Sequence, residues 1–89
     1  MQTVNINADQ TLWATNMLPE GIVERWFVAE GATAQAGHSV AEIRIEGALH
    51  DIVSPVSGRL TILAPANNVI EPGSLLATVA VETALTSNG

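Results

Sequence analysis

The chain has 89 residues, a length typical of one small domain. Nine acidic residues oppose three arginines, and the net charge of −6 argues against nucleic acid and anionic membranes as partners, because both need a basic patch. The absence of cysteine excludes disulfides and thiolate metal sites. No apolar run approaches the roughly 18 residues that span a bilayer, and residues 1–7 lack a basic and apolar leader pattern, so we expect a cytoplasmic domain.

The hydrophobic pattern is that of an all-β protein, since short alternating or β-branched runs are separated by glycine, proline and asparagine. In chain order, the predicted strands cover residues 4–6, 11–15, 22–29, 39–45, 49–53, 59–63 and 75–81, with a loose arm as the alternative for residues 4–6. No window carries the i, i+3, i+4, i+7 stripe of an amphipathic helix. Trp26 is expected in the core, and Trp13 is expected either there or as a surface aromatic used in recognition. Residues 83–89 are polar and are expected to form a flexible tail, which leaves residues 1–82 as the domain.

A tight hairpin turn is predicted at Glu46 and Gly47, because glycine adopts positive φ at little cost. Two interpretations of this turn stay open. It is either the remnant of a functional site that still presents a loop to a partner, or an ordinary hairpin turn. His50 and Asp51 follow the turn closely, and together with Glu46 they are candidates for contacts with a partner.

The polar residues near this turn favour neither catalysis nor metal binding. His50 and Asp51 are adjacent, and neighbours in a strand point to opposite faces, so they are poorly placed for a catalytic pair. The sequence places no nucleophile beside them, and we predict that the domain is not an enzyme. A metal site at His38 and His50 would need further ligands. The acidic residues are scattered and form no calcium-loop pattern, so no metal site is predicted.

An internal repeat relates the two halves of the chain. The residues that recur at an offset of 36 are Pro19 with Pro55, Gly37 with Gly73, Val40 with Leu76 and Ile43 with Val79. At an offset of 37, Gly21 and Val23 correspond to Gly58 and Leu60. Two similar four-strand halves, each unable to cover its own apolar face, would pack face to face. The repeat predicts a flattened sandwich of two four-stranded sheets with approximate two-fold symmetry, with the hairpin turn at one end and the chain termini at the other.

Three segments of the chain resemble the lipoyl domain family. Residues 40–48 read VAEIRIEGA and residues 54–58 read SPVSG, which is similar to the family signature E-[IV]-E-T-D-K-A followed by A/S-P-x-x-G. Residues 17–26 read MLPEGIVERW and resemble the family's E-G-x-[IV]-x-x-W strand, while residues 30–37 read EGATAQAG and resemble its E-G-D-x-V-x-x-G link. The resemblance extends over about residues 12–81. Biotin carriers have A-M-K-M at the turn, so Glu42 and Ala48 favour the lipoyl branch.

The resemblance implies a carrier domain that has lost its acceptor lysine. Gly47, flanked by Glu46 and Ala48, stands where the family has the acylated lysine, and the chain contains no lysine at all. An amide link to lipoate or biotin needs a primary amine, and an arginine is a poor substitute because its guanidinium stays protonated. The family implies lipoate or biotin as a cofactor, and for this chain we expect neither.

The expected function is therefore that of a degenerate, non-catalytic lipoyl-like module that binds a protein partner. The resemblance places it in or beside an acyl-transfer system of the 2-oxo acid dehydrogenase type, whose components are the implied partners. Two alternatives stay open, namely a carrier domain whose acceptor lysine is missing from this chain and a structural assembly domain of an adaptor protein. The sequence specifies no oligomeric state.

Overall fold

The computed structural model describes residues 2–81, and this part of the chain folds into eight strands and one turn of 3₁₀ helix. The strands are β1 (Gln2–Asn7), β2 (Gly21–Trp26), β3 (Thr33–Ala34), β4 (Ser39–Ile45), β5 (Ala48–Val53), β6 (Gly58–Ile62), β7 (Val69–Ile70) and β8 (Leu75–Val81). The 3₁₀ helix spans Gln10–Trp13. No helix among residues 2–81 has the length and apolar character needed to cross a membrane. The predicted boundary at residue 82 and the predicted tail at 83–89 lie outside the described residues.

The strands form two antiparallel sheets of four strands each, which confirms the predicted all-β fold. Sheet 1 has the order β1-β8-β6-β3, and sheet 2 has the order β5-β4-β2-β7. Exchanging each strand with the one four places away in the chain converts one order into the other. The predicted two-fold repeat is therefore present in the topology. Each sheet draws two strands from each half of the chain, so the halves interleave and do not form one sheet each.

The same symmetry relates the hairpin turn to the ends of the described chain. In sheet 2, Ile45 pairs with Ala48 across the turn between β4 and β5. In sheet 1, the equivalent pair joins Val81 of β8 to Gln2 of β1. The start of β1 and the end of β8 thus lie at the place in sheet 1 that the turn occupies in sheet 2.

The core lies between the two sheets and is built from aliphatic side chains at equivalent positions. Val23 and Leu60 are fully buried, and so are Ile43 and Val79, which form the other equivalent pair. Trp13 is buried, with its indole Nε1 donating to the carbonyl oxygen of Glu20 at 3.1 Å. Trp26 is half-buried against the core. Both tryptophans belong to the core region, as one of the two interpretations of Trp13 predicted.

The predicted strand at residues 11–15 is wrong, because this segment contains the 3₁₀ helix. Asp9 caps the helix, and its carboxylate accepts from the backbone amide of Thr11 at 2.9 Å and from the Thr11 hydroxyl at 2.8 Å. Such local side-chain bonds compete with strand pairing. The strand predicted at 22–29 ends earlier, at Trp26, where the chain bends.

Candidate functional site

The turn between β4 and β5 is a two-residue hairpin loop formed by Glu46 and Gly47. Both residues have positive φ, at 48° and 88° respectively, which is the pattern of a type I′ turn. Glycine suits the second position, whereas a positive φ is uncommon for a residue such as glutamate. A Cβ atom added at Gly47 would meet nothing within 4 Å. The turn is therefore exposed, and its backbone conformation favours the glycine that occupies it.

The carboxylate of Glu46 binds the loop that precedes β2. Its Oε2 atom accepts from the backbone amides of Met17 at 3.0 Å and Leu18 at 2.9 Å. The amide of Leu18, together with a hydrogen bond from the side chain of Asn16, lowers the pKa of this carboxyl below its ordinary value. Glu46, which the sequence suggests as a contact for a partner, thus forms hydrogen bonds within the chain that join the turn to the 16–18 loop.

We expect the amide resonances of Met17 and Leu18 to follow the protonation of Glu46. Because the pKa of Glu46 is lowered in the folded state, its contact with the loop is complete above the ordinary glutamate pKa and is lost as the pH falls through the lower folded-state value. A pH titration followed by ¹⁵N–¹H NMR measures this change. Glu46→Gln should abolish the titration of both amides, and Glu20→Gln should leave it in place. A midpoint at or above the ordinary glutamate pKa would contradict the assignment.

The structure separates the other two predicted turn contacts from each other. His50 is half-buried on β5 and pairs with Ile43, whereas Asp51 is exposed and pairs with Glu42 of β4. The alternation of the strand places them on opposite faces. Neither lies in the turn, and neither borders the depression described next.

An open depression of about 300 Å³ lies beside the turn. The residues that line it are Leu18, Glu20, Gly21, Ile22, Arg44, Glu46, Gly47 and Val69. They come from the loop before β2, from strands β2, β4 and β7, and from the turn. Sequence reasoning missed this depression, because its walls are brought together only by the strand order of sheet 2.

Three ion pairs lie on the outer face of sheet 2, and the longest joins Nη2 of Arg25 to Oε2 of Glu24 at 3.9 Å. The Nε atom of Arg44 donates to Oε1 of Glu24 at 3.0 Å, and the Nε atom of Arg25 lies 3.1 Å from Oε1 of Glu42. The hydrogen bond from Arg44 is the main cause that lowers the pKa of Glu24, and it raises the pKa of Arg44 in turn. Arg44, which stands where the lipoyl signature has a glutamate, is thus held by a carboxylate of the neighbouring strand.

Among residues 2–81, no cluster of three or more histidine, aspartate or glutamate side chains could hold a metal ion.

Comparison with protein families finds that residues 14–79 match the biotin/lipoyl family model, which is described as "Biotin-requiring enzyme". The matched range is most of the chain and includes the turn at Glu46 and Gly47. No curated protein matches the chain significantly.

Proposed function

Since the chain belongs to the biotin/lipoyl family, whose domains are carriers and not catalysts themselves, we propose that it is a carrier-type domain that is not acylated and acts as a protein-interaction module. The observation that carries this proposal is Gly47. It stands at the turn where the lipoyl signature has its lysine, and the chain offers no lysine elsewhere. Without a lysine side-chain amine at the turn, neither lipoate nor biotin can be attached there as an amide.

The backbone of the turn supports the loss of the acceptor. A lysine at position 47 would have to adopt a φ near 88°, a left-handed conformation that costs an L-residue roughly 1–2 kcal/mol. Glycine adopts this conformation freely. The backbone conformation of the turn therefore favours glycine over lysine at position 47.

The surface next to the turn supports a role in binding a protein. Met17 and Leu18 are 89% and 59% exposed, although both are large apolar side chains. Exposed apolar residues that cluster beside a depression are typical of interaction sites. We place the partner among the components of an acyl-transfer system of the 2-oxo acid dehydrogenase type, which is the setting that the resemblance to lipoyl domains implies, and we place the domain in the cytoplasm.

The mass of the intact protein tests this function. We expect no mass increase when the chain is co-expressed with a lipoate ligase or, separately, with a biotin ligase, because no acceptor amine is present at the turn. A carrier domain that retains its lysine, expressed in parallel, shows that each ligase is active. An increase by one lipoyl or one biotinyl group on this chain would contradict the proposal.

A further inference from the structure

The two-fold repeat provides an internal comparison of the outer faces of the two sheets. In sheet 2, one cross-strand row is formed in register by Leu49, Arg44, Ile22 and Val69. In sheet 1, the equivalent row is formed by Thr3, Ala80, Arg59 and Thr33. Both rows occupy the same place in the same architecture. A residue type that one row has and the other lacks is therefore not required by the architecture at that place.

Three of the four places in the sheet 2 row are apolar where their equivalents are polar, and we name Leu49, Ile22 and Val69 the apolar row. The fourth place, on β4, is occupied by Arg44, whose equivalent is Ala80. Their exposed fractions are 47%, 41% and 67%. The equivalents in sheet 1 are Thr3, Arg59 and Thr33, so an apolar side chain is not required at these places. Single exposed apolar residues are ordinary. Ile22 and Val69 pair on neighbouring strands and line the depression together with the exposed Leu18, so these three form a continuous patch, whereas Leu49 lies beyond Arg44 of β4.

The charges around the apolar row are mostly negative. Five carboxylates lie on this side of sheet 2 or line the depression, namely Glu20, Glu24, Glu42, Glu46 and Asp51. Two guanidinium groups, those of Arg25 and Arg44, oppose them and are held by Glu42 and Glu24. The surplus of negative charge favours a basic partner, and it opposes a second copy of this chain, which would bring like charges together.

We propose that the apolar row and its depression bind a basic segment of a partner protein, with an apolar side chain in the depression and lysine or arginine side chains around it. The proposal rests on the proposed function and specifies the chemistry of the partner. Apolar burial supplies affinity, and the acidic surround sets orientation and selects against acidic segments. Of the three predicted turn contacts, the site includes Glu46, which lines the depression, whereas His50 and Asp51 lie outside it.

Short synthetic peptides test the proposal on the natural chain. Each carries a central leucine or phenylalanine flanked by lysine and arginine, and a matched peptide carries glutamate in place of the basic residues. In ¹⁵N–¹H NMR titrations, we expect the basic peptides to shift the amides of Leu18, Ile22 and Val69, and to leave those of Thr3 and Arg59 unchanged. Salt should weaken the binding, since exposed charges are screened.

The double variant Leu49→Thr with Val69→Thr removes two side chains of the apolar row. It introduces threonine, which sheet 1 carries at the equivalent places Thr3 and Thr33, so the fold should tolerate it. We expect at least about tenfold weaker binding of the basic peptides, because two apolar contacts are lost. The control is Leu63→Thr with Leu75→Thr, which removes two similarly exposed leucines, one on β8 of sheet 1 and one whose backbone amide donates to Leu76 of that strand. It should leave the dissociation constant unchanged.

Four results of the peptide experiments would overturn the proposal. They are equal binding of the acidic peptides, no binding of the basic peptides, an equal loss of binding in the control variant, and shifts that map to sheet 1. Concentration-dependent shifts at the apolar row without peptide would assign the surface to a second copy and would overturn it as well. Failure of binding in a chain that gains no acyl mass rejects only this docking site, whereas a mass increase rejects the proposed function.

Discussion

Gly58→Ala is expected to lower the free energy of unfolding by about 3 kcal/mol, at the upper end of what overpacking costs. Gly58 begins β6, beside the central strand β8 of sheet 1. A Cβ atom there would overlap the carbonyl oxygen of Ala80 and lie 2.8 Å from Cγ1 of Val79. The first neighbour is backbone and the second is a buried, branched side chain, so neither can yield without moving the sheet. Urea denaturation followed by tryptophan fluorescence measures the loss.

The equivalent substitution in sheet 2 serves as the control. At Gly21, an added Cβ would lie 3.2 Å from the carbonyl oxygen of Arg44 and 3.2 Å from an indole carbon of Trp13. These contacts are tight, but small shifts relieve them, so Gly21→Ala should cost only about 1 kcal/mol. Equal losses for the two variants, or a Gly58→Ala variant as stable as the natural chain, would show that the close approach of β6 and β8 is not what requires glycine.

The strands that could be predicted are the long ones bounded by turn residues. The predicted ranges 39–45 and 75–81 coincide with β4 and β8, because buried branched residues follow a glycine turn in both. The two-residue strands β3 and β7 were missed, since a pair of residues is too short to show alternation. The 3₁₀ helix was missed because its capping by Asp9 outweighs the alternating pattern of the residues that follow.

The candidate site likewise has features that could be predicted from the sequence and features that could not. The position of the turn could be predicted, because Gly47 is a local signal between two strands. The contact of Glu46 with the amides of Met17 and Leu18 could not be predicted, since Met17 and Leu18 lie 29 and 28 positions before Glu46 in the chain. The apolar row depends on the register of four strands, which the sequence pattern does not specify. Its apolar residues are distinctive because the equivalent places in sheet 1 carry polar residues.

Gly47→Lys is expected to turn a chain that ligases cannot modify into one that is acylated in part. The space around an added Cβ is open, so a lysine side chain can project from the turn. Its backbone must accept a φ near 88° or the turn must rearrange, and we expect a loss of stability of roughly 1–2 kcal/mol. Acylation should remain partial, because Glu46 stands where the lipoyl signature has aspartate. Intact mass after co-expression with a lipoate ligase measures the outcome.

Gly37→Lys is the matched control for this experiment, because Gly37 has a φ of 84° and equally open surroundings at a different turn. Both variants introduce a strained, exposed lysine, and they differ only in position. Modification of Gly47→Lys alone would mean that the β4–β5 hairpin still presents what a ligase recognises, so that the loss of the lysine is the change that separates this chain from a carrier. Equal modification of both would mean that exposure suffices. A folded Gly47→Lys protein that stays unmodified would contradict the expectation, and it would mean that the type I′ turn and the Glu46 contact with the 16–18 loop have replaced the geometry of an attachment site.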